Sequence, residues 1–148
     1  IVPNGDRGYL YCVARSPDES SGLNDVLELE VRGRGGEREL VRLARNRLSF
    51  PLLLRSRRAG DSIHLAAGRR SLKRLFQDHS IPQGVRDMVP VLEDRLGIVG
   101  VCGGVVGVTG AWRREVRAGA EAADAAPMRV VLDFDEVISS YAGQQSGQ

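Results

Sequence analysis

The residues of this 148-residue chain that are best suited to chemistry are basic, and most of them lie in one stretch. Residues 32–74 contain thirteen arginines or lysines and three acidic residues, a net charge of +10, whereas the rest of the chain carries eight basic and sixteen acidic residues. A positive face made from this stretch would predict a polyanionic partner. Solvated charges scattered over several strands would give the same composition, so charge alone leaves both readings open.

The first candidate phosphate site is the segment 55–61, where three arginines flank a turn. Arg55, Arg57 and Arg58 follow a predicted strand, and guanidinium groups bind phosphates through paired hydrogen bonds. Gly60 allows a tight backbone turn, and Asp61 can accept backbone N–H groups and so fix the loop. We therefore predict three phosphate-binding arginines and two loop-shaping residues, with an Arg–Asp pair as the structural alternative for Asp61.

A second basic group surrounds Ser71, a residue type that favours the N-terminal cap of a helix. Its members are Arg69, Arg70, Lys73 and Arg74. Cations near the start of a helix are disfavoured by the helix dipole, and a bound anion would remove that cost. The pattern predicts that these four residues bind phosphate. The alternative is that they point into water and tolerate a cost that salt screens.

Other chemistries have weaker support in the sequence. His64 and His79 lack paired cysteines, so no zinc site is predicted, and Cys12 and Cys102 lie in apolar stretches where buried thiols are inert. The chain has no phosphate-binding Walker loop and no common hydrolase motif. A hydrolase that uses Cys102 or His64 remains an alternative, and it predicts a pocket that joins those groups.

The elements that must position these residues are mostly strands. Residues 26–32 alternate between apolar and charged side chains, which indicates a half-buried strand, and residues 50–54 and 128–134 are two further predicted strands. Residues 71–79 show the apolar spacing of a short helix. The pattern predicts an α+β fold with mostly β strands in a mixed sheet and one or two short helices.

Composition excludes several classes of protein. No apolar run reaches the roughly 18 residues that a membrane span needs, and two cysteines are too few for a disulfide-rich scaffold. We see no signal peptide at the N-terminus. Alanine-rich residues 121–127 are predicted to form a linker, and residues 141–148 a loose tail.

An ordered set of motifs between residues 50 and 103 resembles the C-terminal domain of bacterial tRNA(Ile)-lysidine synthases. The motifs are Phe50-Pro51-Leu52, Arg55-Ser56-Arg57-Arg58-Ala59-Gly60-Asp61, Leu72-Lys73-Arg74-Leu75-Phe76-Gln77-Asp78, Ile81-Pro82, Arg86-Asp87, Val89-Pro90-Val91 and Gly97-Ile98-Val99-Gly100-Val101. Two residues depart from the family pattern: Ala59 replaces a proline and Gly100 replaces an aromatic residue. Residues 1–49 and 111–148 show no match.

The resemblance implies a cytoplasmic ATP-dependent ligase that takes part in tRNA processing by joining lysine to the anticodon wobble cytidine of an isoleucine tRNA. In that family ATP, with Mg, binds an N-terminal catalytic domain whose S-G-G-x-D-S loop this chain lacks. The chain therefore resembles a C-terminal portion of the enzyme. It would bind tRNA near the acceptor stem, have the catalytic domain of the same protein as a partner, and carry no cofactor of its own.

This interpretation divides the chain into three parts: a β-rich segment at 1–49, the tRNA-binding domain at 50–120, and a linker, final strand and tail at 121–148. The alternative function is a structural module that docks on the catalytic domain or dimerises without contacting RNA. Such a module would expose an apolar patch, and it would show no salt-sensitive RNA binding.

Overall fold

The computed structural model describes residues 3–4, 9–12, 26–33, 35–49, 52–119 and 128–133. The predicted linker at 121–127 and the predicted tail at 141–148 lie outside the described residues. Among the described helices, none is long and apolar enough to cross a membrane.

The largest sheet has six antiparallel strands in the order β1-β2-β5-β8-β9-β10. These strands are β1 (Pro3–Asn4), β2 (Tyr9–Cys12), β5 (Leu52–Arg55), β8 (Val91–Asp94), β9 (Gly97–Val101) and β10 (Ala111–Trp112). Strand β5 lies in the middle of the sheet, between β2 and β8. Arg55, at its end, therefore leaves the sheet from an interior position rather than from an edge.

A second sheet has three strands in the order β11-β3-β4. Strands β3 (Val26–Arg32) and β4 (Arg38–Ala44) form an antiparallel pair, and β11 (Met128–Asp133) lies parallel to β3. The apolar face predicted for β3 is confirmed, because Leu27, Leu29 and Val31 are fully buried, but Val26 and Glu30 on the other face are buried as well. This is the sheet of mixed direction.

A short hairpin and one α-helix complete the fold. The hairpin joins β6 (Ser62–Leu65) to β7 (Gly68–Ser71), and α1 (Leu72–Asp78) follows directly. The helix begins at Leu72 because the Ser71 hydroxyl accepts the backbone N–H of Arg74 at 3.2 Å. Three 3₁₀ segments lie at Arg45–Arg47, Gln83–Met88 and Gly103–Val106.

These elements form three layers around two apolar clusters. One cluster packs the three-stranded sheet against the six-stranded sheet, with Leu29 on one side and Leu92 on the other. The second cluster packs the opposite face of the six-stranded sheet, through Val91, against Ile63 of the hairpin and Phe76 of the helix. The six-stranded sheet is thus covered on both faces over these strands.

The α+β prediction is confirmed, with strands dominant and a single α-helix in the described part of the chain. Some element limits differ from the predicted ones. The strand predicted at 50–54 continues to Arg55, and the helix predicted at 71–79 covers Leu72–Asp78. After β9, the 3₁₀ segment Gly103–Val106 ends at Gly107, whose φ of +79° is a conformation that favours glycine.

Candidate phosphate-binding cleft

The loop after β5 is built around a buried arginine. The Arg55 side chain is only 2% exposed, and its two terminal nitrogens donate to the two Asp61 oxygens at 2.8 and 2.9 Å. The Glu93 carboxylate, on the neighbouring strand β8, accepts a third bond at 3.2 Å. This placement removes Arg55 from the predicted phosphate contacts, because its guanidinium is enclosed and paired with internal carboxylates.

Asp61 connects this buried pair to the backbone of the loop. Its Oδ2 accepts the N–H of Arg58 at 2.7 Å, while its own N–H donates to the Arg58 carbonyl at 3.2 Å. Its carbonyl accepts the N–H of Leu72 at 2.9 Å, so the loop is also tied to the start of α1. Gly60 lies at φ +85°, a conformation that residues with a side chain rarely adopt. These contacts hold the loop in one shape and present Arg57 and Arg58 outward.

An open cleft of about 660 Å³ lies between this loop, the start of α1 and the 3₁₀ segment Gln83–Met88. Arg57 and Arg58 line it from the loop, and Lys73 lines it from the helix. Arg86 and Asp87 line it from the 3₁₀ segment. The cleft therefore gathers cations from three separate elements.

Three hydrogen bonds organise the third side of the cleft. The Nε of Arg57 donates to Asp87 Oδ1 at 3.0 Å, and the Ser56 hydroxyl donates to the Asp87 carbonyl at 3.2 Å. Arg86 is buried and donates its Nε to the Ile81 carbonyl at 2.9 Å, which holds the 3₁₀ segment against the end of α1. The Arg57–Asp87 pair is partly solvated, with Asp87 75% exposed, so Arg57 can exchange this partner for a phosphate at small cost.

The other predicted phosphate ligands lie elsewhere. Arg69 donates its Nε to the Ser62 hydroxyl at 3.0 Å across the hairpin, and Arg70 pairs with Asp78 at the end of α1. Arg74 is exposed on α1 but does not line the cleft. The helix has only seven residues. The structure thus brings together Arg57, Arg58 and Lys73, and separates the remaining predicted residues from them.

Three further residues, Gln83, Arg86 and Asp87, line the cleft although their residue types and spacing predicted no role for them. The only available signal was the Arg86-Asp87 pair, which contributed to the family resemblance. The hydrolase alternative predicted a pocket that joins Cys102 and His64, and neither residue lines the cleft. Cys102 is fully buried, and this burial raises the pKa of its thiol well above the usual range. Within the described residues, no cluster of three His, Cys, Asp or Glu side chains could hold a metal ion.

Residues 52–120, which contain the whole cleft, match the model of the family described as the TilS substrate C-terminal domain. The similarity to that family covers this segment of the chain. The recognition made from the motifs at 50–103 is therefore confirmed.

Two curated proteins that are similar to this chain are tRNA(Ile)-lysidine synthases. The protein of Clostridioides difficile is 41% identical over 54 residues, which cover 36% of this chain and 12% of the relative. The protein of Bacillus licheniformis is 29% identical over 96 residues, which cover 60% of this chain and 20% of the relative. A solved structure titled as a TILS C-terminal domain has 26% identity and a TM-score of 0.39, and covers 76% of this chain and 74% of that one. The chain thus spans only a small part of the length of the curated relatives.

One departure from the TilS motif pattern has a structural explanation. Gly100 lies opposite Trp112 in the β9–β10 pair, and a Cβ at Gly100 would be 2.1 Å from the indole ring. The Trp112 ring thus covers the backbone where the family pattern has an aromatic side chain on the strand itself. The other departure, Ala59, lies in the exposed turn that lines the cleft.

Proposed function

We propose that this chain is the tRNA-binding C-terminal part of a tRNA(Ile)-lysidine synthase. Arg57, Arg58 and Lys73 bind the phosphate backbone of the substrate tRNA in the cleft. Another domain of the same cytoplasmic enzyme binds ATP and Mg and joins lysine to the wobble cytidine. The cleft does no chemistry in this scheme, and its contribution is to hold the tRNA in place for the catalytic domain.

The observation that carries this proposal is the convergence of three cations on one cleft, two of them on a loop that a buried ion pair holds in place. Preorganised arginines lose less conformational entropy when they bind, so the Arg55–Asp61 pair supports binding without touching the ligand. Duplex RNA stems are read mainly through phosphates and shape. A cleft lined by guanidinium and ammonium groups suits that kind of recognition.

The test is a salt titration of binding between the chain and a fluorescently labelled isoleucine tRNA transcript. The double variant Arg58→Gln/Lys73→Gln should bind about tenfold more weakly than wild type. Its plot of log affinity against log salt should be shallower by about two units, since each neutralised phosphate contributes a slope of about 0.9 on the scale of duplex DNA. The matched control is Arg95→Gln/Arg114→Gln, which removes the same charge from exposed positions outside the cleft.

Equal affinity and equal slope in the cleft variant and the wild type would overturn the proposal. That outcome would favour the docking or dimerisation module. Sedimentation of the chain with and without the catalytic domain would then be the informative measurement. The exposed residues Val85 and Met88, on the 3₁₀ segment beside the cleft, would be the first positions to substitute.

A further inference from the structure

The face of the three-stranded sheet that points away from the six-stranded sheet carries an ordered set of charges. We call it the outer sheet face. Strand register places its residues in three rows that cross β11, β3 and β4 in that order. The rows are Arg129-Glu28-Arg42, Val131-Glu30-Leu40 and Asp133-Arg32-Arg38. Three of these four arginines belong to the basic stretch 32–74, and none of the four lines the cleft.

Two glutamates at the base of this face hold the four arginines in place. Glu30 is almost buried and accepts Arg32 Nε at 2.6 Å and an Arg38 terminal nitrogen at 2.9 Å. Glu28 accepts Arg129 Nε at 3.0 Å, and Arg42 lies 4.0 Å away on its other side. The hydrogen bond from Arg32 lowers the pKa of Glu30, so this carboxylate is charged at neutral pH.

The arginines remain open to solvent although they are paired. The side chains of Arg32, Arg38 and Arg129 are 57%, 59% and 64% exposed. Arg32 and Arg129 bind their glutamates through Nε, so these two ion pairs do not use the terminal nitrogens of either guanidinium. A terminal pair of N–H donors is the group that binds a phosphate bidentately.

We propose that the outer sheet face is a second binding surface for the phosphate backbone of RNA, separate from the cleft. Its four arginines are spread over three strands, so the outer two of a row are about 10 Å apart at the backbone. The glutamates beneath them fix the guanidinium groups before binding. The face therefore offers several preorganised phosphate ligands at once.

The composition of the face favours a polyanion over an apolar protein partner. Leu40 and Val131 are about half exposed, but the ionised Glu30 separates them in the central row. The centre of a protein interface is usually depleted in charged residues. Here the centre is charged and arginines flank it in the rows on both sides.

The layer order makes this surface distinct from the cleft. The outer sheet face lies on one side of the six-stranded sheet, and the hairpin and α1, which bound the cleft, pack on the other side. A single short stretch of backbone cannot reach both surfaces. The proposal therefore extends the RNA contact of this chain beyond the segment 52–120 that matches the family model.

The experiment uses the full 148-residue chain and the same labelled tRNA transcript. The double variant Arg32→Gln/Arg129→Gln removes two exposed guanidinium groups. The ion pairs of Glu30 with Arg38 and of Glu28 with Arg42 are retained. We expect affinity to fall about fivefold to tenfold and the salt slope to become shallower by one to two units. Arg95→Gln/Arg114→Gln is again the control with the same change in charge. Thermal unfolding of each variant verifies that the fold is retained.

Ultraviolet crosslinking of the wild-type complex, followed by mass spectrometry, gives a second readout that does not depend on stability. Crosslinked peptides from 26–44 or 128–133 support the proposal. The proposal is overturned if Arg32→Gln/Arg129→Gln has the same affinity and salt slope as the control and the crosslinks are confined to residues 52–119. That result leaves the cleft proposal intact. The opposite result is that Arg32→Gln/Arg129→Gln weakens binding and Arg58→Gln/Lys73→Gln does not. It supports the second surface and refutes the proposal that the cleft binds tRNA.

Discussion

At the scale of single residues, the same side-chain type has opposite roles in neighbouring positions of the 55–61 loop. Arg57 and Arg58 line the cleft, whereas Arg55 is enclosed. Burial works against the charged form of Arg55, but the hydrogen bonds that it donates to Asp61 and Glu93 keep its pKa above the ordinary value. Arg55 thus remains charged inside the protein, and the fold needs both carboxylate partners to stabilise that buried charge.

Replacing Asp61 with asparagine should destabilise the fold strongly. The substitution removes the charged partner that accepts two bonds from Arg55, leaves Glu93 in place, and weakens the acceptor for the Arg58 N–H. Loss of one partner of a buried ion pair typically costs about 3–5 kcal/mol, and the remaining Glu93 places our expectation near 3 kcal/mol. Urea unfolding measures the loss. Asp87→Asn is the matched control, since it breaks an exposed Arg–Asp pair that contributes at most about 1 kcal/mol.

Asp94 should account for part of the stability that the protein loses in acid. Burial tends to raise the pKa of this carboxyl, but bonds from Arg113, the Ser49 N–H and the Leu96 N–H outweigh burial and hold it below 3.8. The folded state therefore binds the proton less readily than the unfolded state. The resulting stability is present above pH 3.8 and is lost as pH falls through the lower, folded-state pKa.

The measurement for Asp94 is the free energy of unfolding from pH 7 down to pH 3 for wild type and Asp94→Asn. We expect the variant to be less stable at pH 7 and to lose less stability on acidification. Parallel pH curves for the two proteins would show that Asp94 does not carry this dependence. Asp87→Asn again provides the same substitution at an exposed position.

At the scale of elements, the predictable parts were those with a strong local signal. Strand β3 alternates apolar and charged residue types along its own sequence, and α1 has an apolar stripe with a Ser71 cap, so both could be predicted without tertiary information. The β6–β7 hairpin could not be predicted in this way. Its strands have four residues each, and its turn is Ala66-Ala67 rather than a glycine-containing pair, with the left-handed residue Gly68 just after it.

The same difference between local and long-range features explains which parts of the cleft could be predicted from the sequence. The number of cations and the Gly60-Asp61 turn are local features, so a basic loop at 55–61 could be predicted from the sequence. The sequence alone could not show that Arg55 is buried, since one of its carboxylate partners, Glu93, comes 38 residues later in the chain. It also could not separate Lys73 from Arg69 and Arg70, whose positions depend on the hairpin register.

The contact between β9 and β10 gives a prediction at this scale. A Cβ at Gly100 would lie 2.1 Å from the Trp112 ring, so Gly100→Ala must displace the indole from the strand. We expect a loss of about 1–3 kcal/mol, as is typical of overpacking. Because Trp112 is the only tryptophan of the chain, its emission should shift to the red in the folded protein. Gly84→Ala is the control, with no atom within 4 Å of the added carbon, and it should alter neither the spectrum nor the stability.

At the scale of the whole molecule, the apolar core joins parts of the chain that the sequence reasoning had divided. Leu27, Leu29 and Leu43, which precede the family-matched segment, pack in one cluster with Leu54 and Leu92, which belong to it. The Arg113 guanidinium also binds the Arg47 carbonyl at 2.9 Å. The six-stranded sheet thus depends on the three-stranded sheet to cover one of its faces.

A chain truncated to residues 50–120 should therefore fail to fold as the full chain does. It lacks the fully buried Leu27, Leu29, Val31 and Leu43 and would expose the apolar side chains that they cover. Each buried aliphatic contributes about 1.5–3 kcal/mol, so four of them rival the 5–15 kcal/mol total of an ordinary domain. Circular dichroism during urea unfolding should show a broad transition at low urea for the truncated chain. A sharp transition at the midpoint of the full chain would instead establish residues 50–120 as an independent domain, and the outer sheet face would then be an addition to it rather than part of its core.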